Sequence, residues 1–111
     1  MPKAEDHDFL EELSTPYEIR LSDEAVYAYS EIPSKKIYDR IGFLIDFIGL
    51  HPYYGQPYEP YYRAATPPIP CRVFFCGHYG VYYNVDHESQ TINVLAIEDE
   101  RRNPLNRFEV L

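Results

Sequence analysis

Three short runs of β-branched and aromatic residues constrain this chain more than any other feature. Cys71-Arg72-Val73-Phe74-Phe75-Cys76 is followed by Gly77-His78, then by Tyr79-Gly80-Val81-Tyr82-Tyr83-Asn84-Val85-Asp86. After a polar break comes Thr91-Ile92-Asn93-Val94-Leu95-Ala96-Ile97, which leads through Glu98-Asp99-Glu100 to the pair Arg101-Arg102. Runs of this length and composition, separated by turn residues, read as an antiparallel meander. Gly77 opens a two-residue connection, which suits a type II′ hairpin because glycine enters its φ > 0 position without steric cost. Asp86 to Gln90 supplies the second turn. Alternation along the strands is read as placing Arg72, Phe74, Gly80 and Tyr82 on one face, with Val73, Phe75, Val81 and Tyr83 toward the core.

Upstream the periodicity changes. Tyr17-Glu18-Ile19-Arg20-Leu21 alternates apolar and polar residues, as a half-buried strand does. Ser22 is a good helix N-cap, and Asp23 and Glu24 follow where carboxylates complement the dipole. That helix is expected to reach about Ile32, with Ala25, Ala28, Tyr29 and Ile32 on one face. Pro33 ends it and suits the first turn of a second helix. Ile37, Ile41, Leu44, Ile45 and Ile48 then recur at helical spacing and predict a face packed on the sheet. Lys35, Lys36, Asp39, Arg40 and Asp46 fall off that stripe, and Pro52 stops the helix.

The chain has 111 residues, enough for one small domain with a modest core. Residues 1–16 read as a polar acidic arm in which Phe9, Leu10 and Leu13 have the spacing of a short helix; residues 17–111 read as the domain. The acidic N-terminus has no apolar segment of signal-peptide type. The longest apolar run, Ile41 to Leu50, contains Asp46 and is too short for a bilayer. A cytoplasmic location with no membrane partner is therefore expected. The net charge of −8 counts against general nucleic-acid binding while leaving room for a small basic site.

Residues 51–70 hold five tyrosines and six prolines. Proline at this density forbids a helix and confines any strand to a sheet edge. The segment is either an aromatic surface for a partner, through Tyr58, Tyr61, Tyr62 and Arg63, or a loop laid over the sheet edge. Leu105, Phe108, Val110 and Leu111 give an apolar ending that docks on the domain or faces a partner. Cys71 and Cys76 are five apart on one strand, so they face opposite ways and read as buried thiols. Cys-x4-Cys-x-His is a poor zinc spacing, and no metal site is expected.

The order of these elements, β-α-α-β-β-β, resembles the toxins of the RelE/ParE superfamily from bacterial type II toxin–antitoxin pairs. The residues that carry the resemblance are Tyr17 to Ser22 with Ala25, the second helix ending near Pro52 with Gly55, Cys71-Arg72-Val73, the hairpin Gly77 to Asp86, and Thr91 to Ile97 leading to Arg101-Arg102. The resemblance implies an α+β fold in which a helical hairpin packs on a curved, mostly antiparallel four-stranded sheet. It also implies a cognate antitoxin, and one of two activities. RelE-like members cleave mRNA on the ribosome, and this is the leading expectation for the chain; the alternative is that of ParE-like members, which bind and inhibit DNA gyrase. A degenerate, non-toxic relative is a third reading.

Cleavage of RNA by its own 2′-hydroxyl requires positive charge at the phosphate and groups that move protons. RelE-like enzymes supply these mostly with lysine and arginine and a tyrosine near the C-terminus. Mapped residue by residue, Arg72 matches one of two basic positions and Phe74 occupies the other. Gly80 stands where an arginine usually follows the hairpin tyrosine. Arg101 or Arg102 matches the basic residue after the last strand, and Phe108 is the nearest aromatic to the missing tyrosine. Tyr82 and His78 are the candidates for proton transfer beside Arg72. Each has a plainer reading: His78 as an exposed turn residue, Tyr82 as a surface ring, Arg101 as an ion-pair partner of Glu98 or Glu100. The resemblance implies neither cofactor nor metal.

Overall fold

The computed structural model describes residues 16–59, 67 and 69–101. Strand β1 (Glu18–Leu21) leads into helices α1 (Asp23–Ser30) and α2 (Lys35–Leu50). Strands β2 (Gln56–Pro57), β3 (Arg72–Cys76), β4 (Tyr79–Asp86) and β5 (Thr91–Asp99) follow. The sheet order is β1-β5-β4-β3-β2, antiparallel except for the β1–β5 pair. The sheet therefore has five strands, where four were expected. The extra strand is the two-residue β2 within the proline-rich segment. Pro57 sits in it at the edge, where its missing N–H breaks no ladder.

Both helices start on serine caps. Ser22 Oγ accepts from Ala25 N at 3.0 Å, and Ser34 Oγ accepts from Ile37 N at 3.3 Å. Pro33 thus lies before the cap of α2 instead of inside its first turn, and α1 ends at Ser30, two residues short of Ile32. Ile32 is nonetheless buried in the core. In α2 the expected stripe is realised: Ile41, Leu44, Ile45 and Ile48 are buried, and Ile37 packs against them. Each such side chain contributes about 1.5–3 kcal/mol by leaving water. From the sheet, Phe74, Val81, Tyr83, Ile92, Val94 and Ile97 meet the helices.

Two local features set the register. Gly77 has φ +60° and joins β3 to β4 with Cys76 opposite Tyr79. Further along, a bulge between Tyr82 and Tyr83 places Tyr82 opposite Ala96 and Tyr83 opposite Val94. Leu95 is the extra residue, and the alternation of β5 switches there. This is why Ile92, Val94 and Ile97 all face the helices while Ala96 faces away.

The hairpin register corrects the expected facing of β3. Phe74 pairs with Val81 and Arg72 with Tyr83, and residues directly opposite share a face. Arg72 and Phe74 therefore lie on the helix side, and Val73 and Phe75 on the open side with Gly80 and Tyr82. The reading of β4 holds. The two cysteines are both free and buried, Cys76 on the helix side and Cys71 on the open side, as their spacing required.

Candidate functional site

The sheet face turned away from the helices is where the sequence places a site. Its centre is apolar: Cys71, Val73, Tyr82 and Ala96 are buried together, with Tyr58 and Leu95 packed on them. The Tyr58 ring meets Tyr82 edge to face, centroids 4.9 Å apart. Tyr82 has no exposed surface. Its hydroxyl donates to Glu100 Oε2 at 2.9 Å. Glu98, opposite Gly80 in the ladder, is also buried at this end of the face. Gly80 permits the approach, since a Cβ there would stand 2.8 Å from Glu100 Oε2 and 3.0 Å from the Tyr82 ring. The described surroundings of the Tyr82 hydroxyl thus carry carboxylates.

Among the described residues, the cations expected beside Tyr82 are elsewhere or engaged. Arg72 lies on the helix side, where Nε donates to the Gly55 carbonyl at 2.7 Å and the guanidinium sits 4.8 Å from the centre of the Tyr53 ring. It clamps the segment before β2 onto β3. Tyr83 completes the clamp: its hydroxyl accepts from Gly55 N and donates to the Pro52 carbonyl, both at 2.8 Å. Burial pushes the Tyr83 phenol up from its ordinary pKa. Arg101 forms a two-pronged pair with Asp99, Nε to Oδ1 at 2.9 Å and Nη2 to Oδ2 at 2.6 Å. The expected partner was Glu98 or Glu100. Arg20, on the open face by register, pairs with Glu18 at 2.7 Å.

His78 is an exposed turn residue; its ring lies against Tyr79 and its carbonyl accepts from Glu100 N at 2.7 Å. Of the five candidate catalytic residues, Tyr82 is on the open face, His78 and Arg101 at its end, and Arg72 on the opposite face. Arg102 lies outside the described residues, as do Tyr61, Tyr62, Arg63 and Phe108 among the partner-binding candidates. Tyr58 is half-buried against Tyr82.

Two groupings were not anticipated. His87 in the β4–β5 turn joins two tyrosines: Tyr17 Oη lies 2.9 Å from Nδ1, and Tyr53 Oη bonds Nε2. Along the outer flank of α2, Phe43 and Phe47 stack with each other and Phe47 with the capping residue His51, and the Tyr54 ring meets Phe47 edge to face at 5.2 Å. The four-residue recurrence of Phe43, Phe47 and His51 was the available signal.

The family model for the ParE toxin of the parDE type II toxin–antitoxin system matches residues 19–104. This spans more than half of the chain. The chain belongs to the ParE toxin family. It is thus a toxin-family member of the RelE/ParE superfamily, with the architecture described above. Among curated proteins no individual match is significant. Solved structures share the toxin's fold. The archaeal RelE–RelB complex of Pyrococcus horikoshii OT3 matches with a TM-score of 0.63 at 20% identity, over 79% of this chain and 99% of that one. The toxin–antitoxin complex RelBE2 of Mycobacterium tuberculosis matches at 0.58 and 19% identity, over 76% and 98%. Isolated RelE toxin of E. coli matches at 0.60 and 11% identity, over 78% and 87%. Among the toxin's described residues, no helix is long and apolar enough to cross a membrane.

Proposed function

We propose that this toxin works by binding a protein target, as ParE-like toxins do, and not by cleaving RNA. The observation that carries the reading is the engagement of the Tyr82 hydroxyl by Glu100, with Glu98 buried beside it and Arg72 on the other face of the sheet. Phosphoryl chemistry on RNA develops negative charge that must be met by cations or aligned donors. Among the described residues Tyr82 is the only strand tyrosine on that face, and Glu100 engages its hydroxyl where a reacting group would need it. By family analogy the target is DNA gyrase, met in the cytoplasm. A cognate antitoxin is proposed as the neutralising partner, in keeping with the toxin–antitoxin complexes among the structures of like fold.

Induced expression in a bacterial host tests this, with growth followed, mRNA 5′ ends mapped, and supercoiling by purified gyrase assayed with purified toxin. Growth arrest with intact messages and blocked supercoiling is the expected result. New 5′ ends inside codons of translated messages, lost in Tyr82→Phe, would instead establish ribosome-dependent cleavage. Absence of arrest at good soluble yield would identify a degenerate relative.

A further inference from the structure

A toxin that binds a protein target needs exposed apolar surface, and the open face of the sheet offers little of it. Cys71, Val73, Tyr82 and Ala96 are buried there, with Tyr58 and Leu95 packed on them. More exposed aromatic surface lies on the outer flank of α2. Phe43 is 57% exposed and Leu50 42%, and Phe47 stacks on Phe43 with centroids 6.2 Å apart. At the C-terminal end of the helix this stripe opens into a shallow groove of about 480 Å³ lined by Phe47, Leu50, His51, Pro52, Tyr53 and Tyr54. Tyr53 and Tyr54 are exposed as well. Contiguous exposed apolar surface of this kind marks an interaction site.

The charge along this flank is uneven. Lys36 and Arg40 stand about two turns and one turn before Phe43, and both are exposed. The Arg40 guanidinium lies 5.5 Å from the centre of the Phe43 ring. Among the described residues neither cation has a carboxylate within ion-pair distance, whereas Lys35 takes Asp39 at 2.7 Å. Asp39 and Asp46 lie on the side of α2 toward Tyr29 of α1, where their charges act on its phenol. In a chain with 18 acidic and 10 basic residues, two cations without a described carboxylate partner at one end of an aromatic stripe are an exception. The flank thus has a positive N-terminal end and an apolar groove at its C-terminal end. From Arg40 to Leu50 is about 15 Å at 1.5 Å per residue, about three helical turns.

We infer that this flank seats an acidic amphipathic helix of the target protein, with its apolar side chains on Phe43, Phe47 and Leu50 and its carboxylates against Arg40 and Lys36. The inference rests on the protein-binding reading above and adds where the target is held and what chemistry holds it. A helix fits because apolar side chains at i, i+3 or i+4, and i+7 match a ridge of the same spacing on α2. Aromatic side chains dominate the affinity of such contacts. The cations fix direction, since a helix laid the other way would bring its carboxylates to the apolar groove and not to Arg40.

Purified gyrase and the full toxin chain test the inference, with supercoiling followed as toxin is titrated and growth arrest scored in parallel. Phe43→Ser with Leu50→Ser should raise the toxin needed for half inhibition at least about tenfold and relieve the arrest. Arg40→Gln with Lys36→Gln should also weaken inhibition and remove part of its salt dependence. Thermal melts check folding; where the apolar pair melts early, the charge pair, which removes no buried surface, carries the test. Phe75→Ser, 49% exposed on the open face, is the control and should inhibit like wild type. Inhibition unchanged in both α2 variants at wild-type stability would overturn the inference and leave the protein-binding reading standing. Loss in Phe75→Ser alone would also overturn it and move the seat to the open face. So would a toxin dimer in gel filtration that the α2 substitutions break while inhibition is kept, which would assign the flank to a second copy. Should wild type arrest growth with intact messages and untouched gyrase, arrest lost in the α2 variants supports the inference and arrest retained overturns it. New 5′ ends in translated messages, or a wild type that neither arrests growth nor blocks supercoiling, would remove the protein-binding reading and the inference with it.

Discussion

Arg72 and Tyr82 lie on opposite faces of the sheet, because the hairpin pairs Arg72 with Tyr83 and Val73 with Tyr82. A catalytic pair would need to share a face, so the two residues are expected to fail separately and for different reasons. Arg72→Ala removes the bond to the Gly55 carbonyl and the stacking on Tyr53. A loss of about 1–2 kcal/mol of folding stability is expected, with growth arrest retained wherever the protein remains folded. Urea unfolding beside a growth assay checks both. Arrest lost at unchanged stability would return Arg72 to a chemical role.

Tyr83 holds the segment before β2 through one hydroxyl. Tyr83→Phe leaves the Gly55 N–H and the Pro52 carbonyl without that partner in a buried setting. The expected cost is about 1–3 kcal/mol. Hydrogen exchange should localise the loosening to residues 52–57 while the β4–β5 ladder keeps its protection. Gly55→Ala should be worse than Tyr83→Phe, since its Cβ would stand 2.9 Å from the Val73 backbone oxygen as well as 2.7 Å from Tyr83 Oη. Backbone cannot move aside as a ring can.

The architecture was legible where one-dimensional period and local chemistry agree. The Ser22 cap, the α2 isoleucine stripe and the Gly77 hairpin each depend on neighbours within a few residues. The facing of β3 was also legible, and was misread. A two-residue loop at Gly77-His78 forces Cys76 opposite Tyr79, and counting back puts Phe74 with Val81. The apolar character of Val73 and Phe75 pointed the other way, because the open face is itself apolar at Cys71, Val73 and Tyr82. The edge strand β2 was hidden by its length and its proline. The link from Glu100 to Tyr82 spans eighteen residues and depends on the strand bulge, which alternation does not show. In the sequence the acidic run Glu98-Asp99-Glu100 reads only as the lead into Arg101-Arg102.

Gly77 is the one described glycine at positive φ, and its value of +60° is open to an L-residue only at a cost. Gly77→Ala should destabilise by about 1–2 kcal/mol from the backbone, with more from the Ile37 Cδ1 atom 3.1 Å from the new Cβ. Gly77→Asn should cost less in backbone strain, since asparagine tolerates the left-handed region. Thermal melts of the two variants give the order. If alanine proved the milder, the turn would have to relax to a different type.

Acid stability should depend on Asp99. The Arg101 guanidinium bonded to it holds its carboxyl well below the usual carboxylate range. A folded-state pKa below the unfolded value of about 3.9 means that the unfolded chain binds the proton more readily. The contribution is therefore complete above about pH 4 and is lost as pH falls through the depressed folded value. Asp99→Asn should flatten the acid limb of a stability–pH curve between about pH 4 and 2 and leave the curve near pH 7 lower by only a small amount, because Arg101 is largely solvent-exposed and the pair is screened. Asp86 adds a second, similar slope, its carboxylate held down by the Ser89 and Glu88 amides that it accepts from in the β4–β5 turn. Urea unfolding at stepped pH separates the two. An acid limb unchanged in Asp99→Asn and altered in Asp86→Asn would assign the pH dependence to the turn and leave the Asp99–Arg101 pair energetically silent.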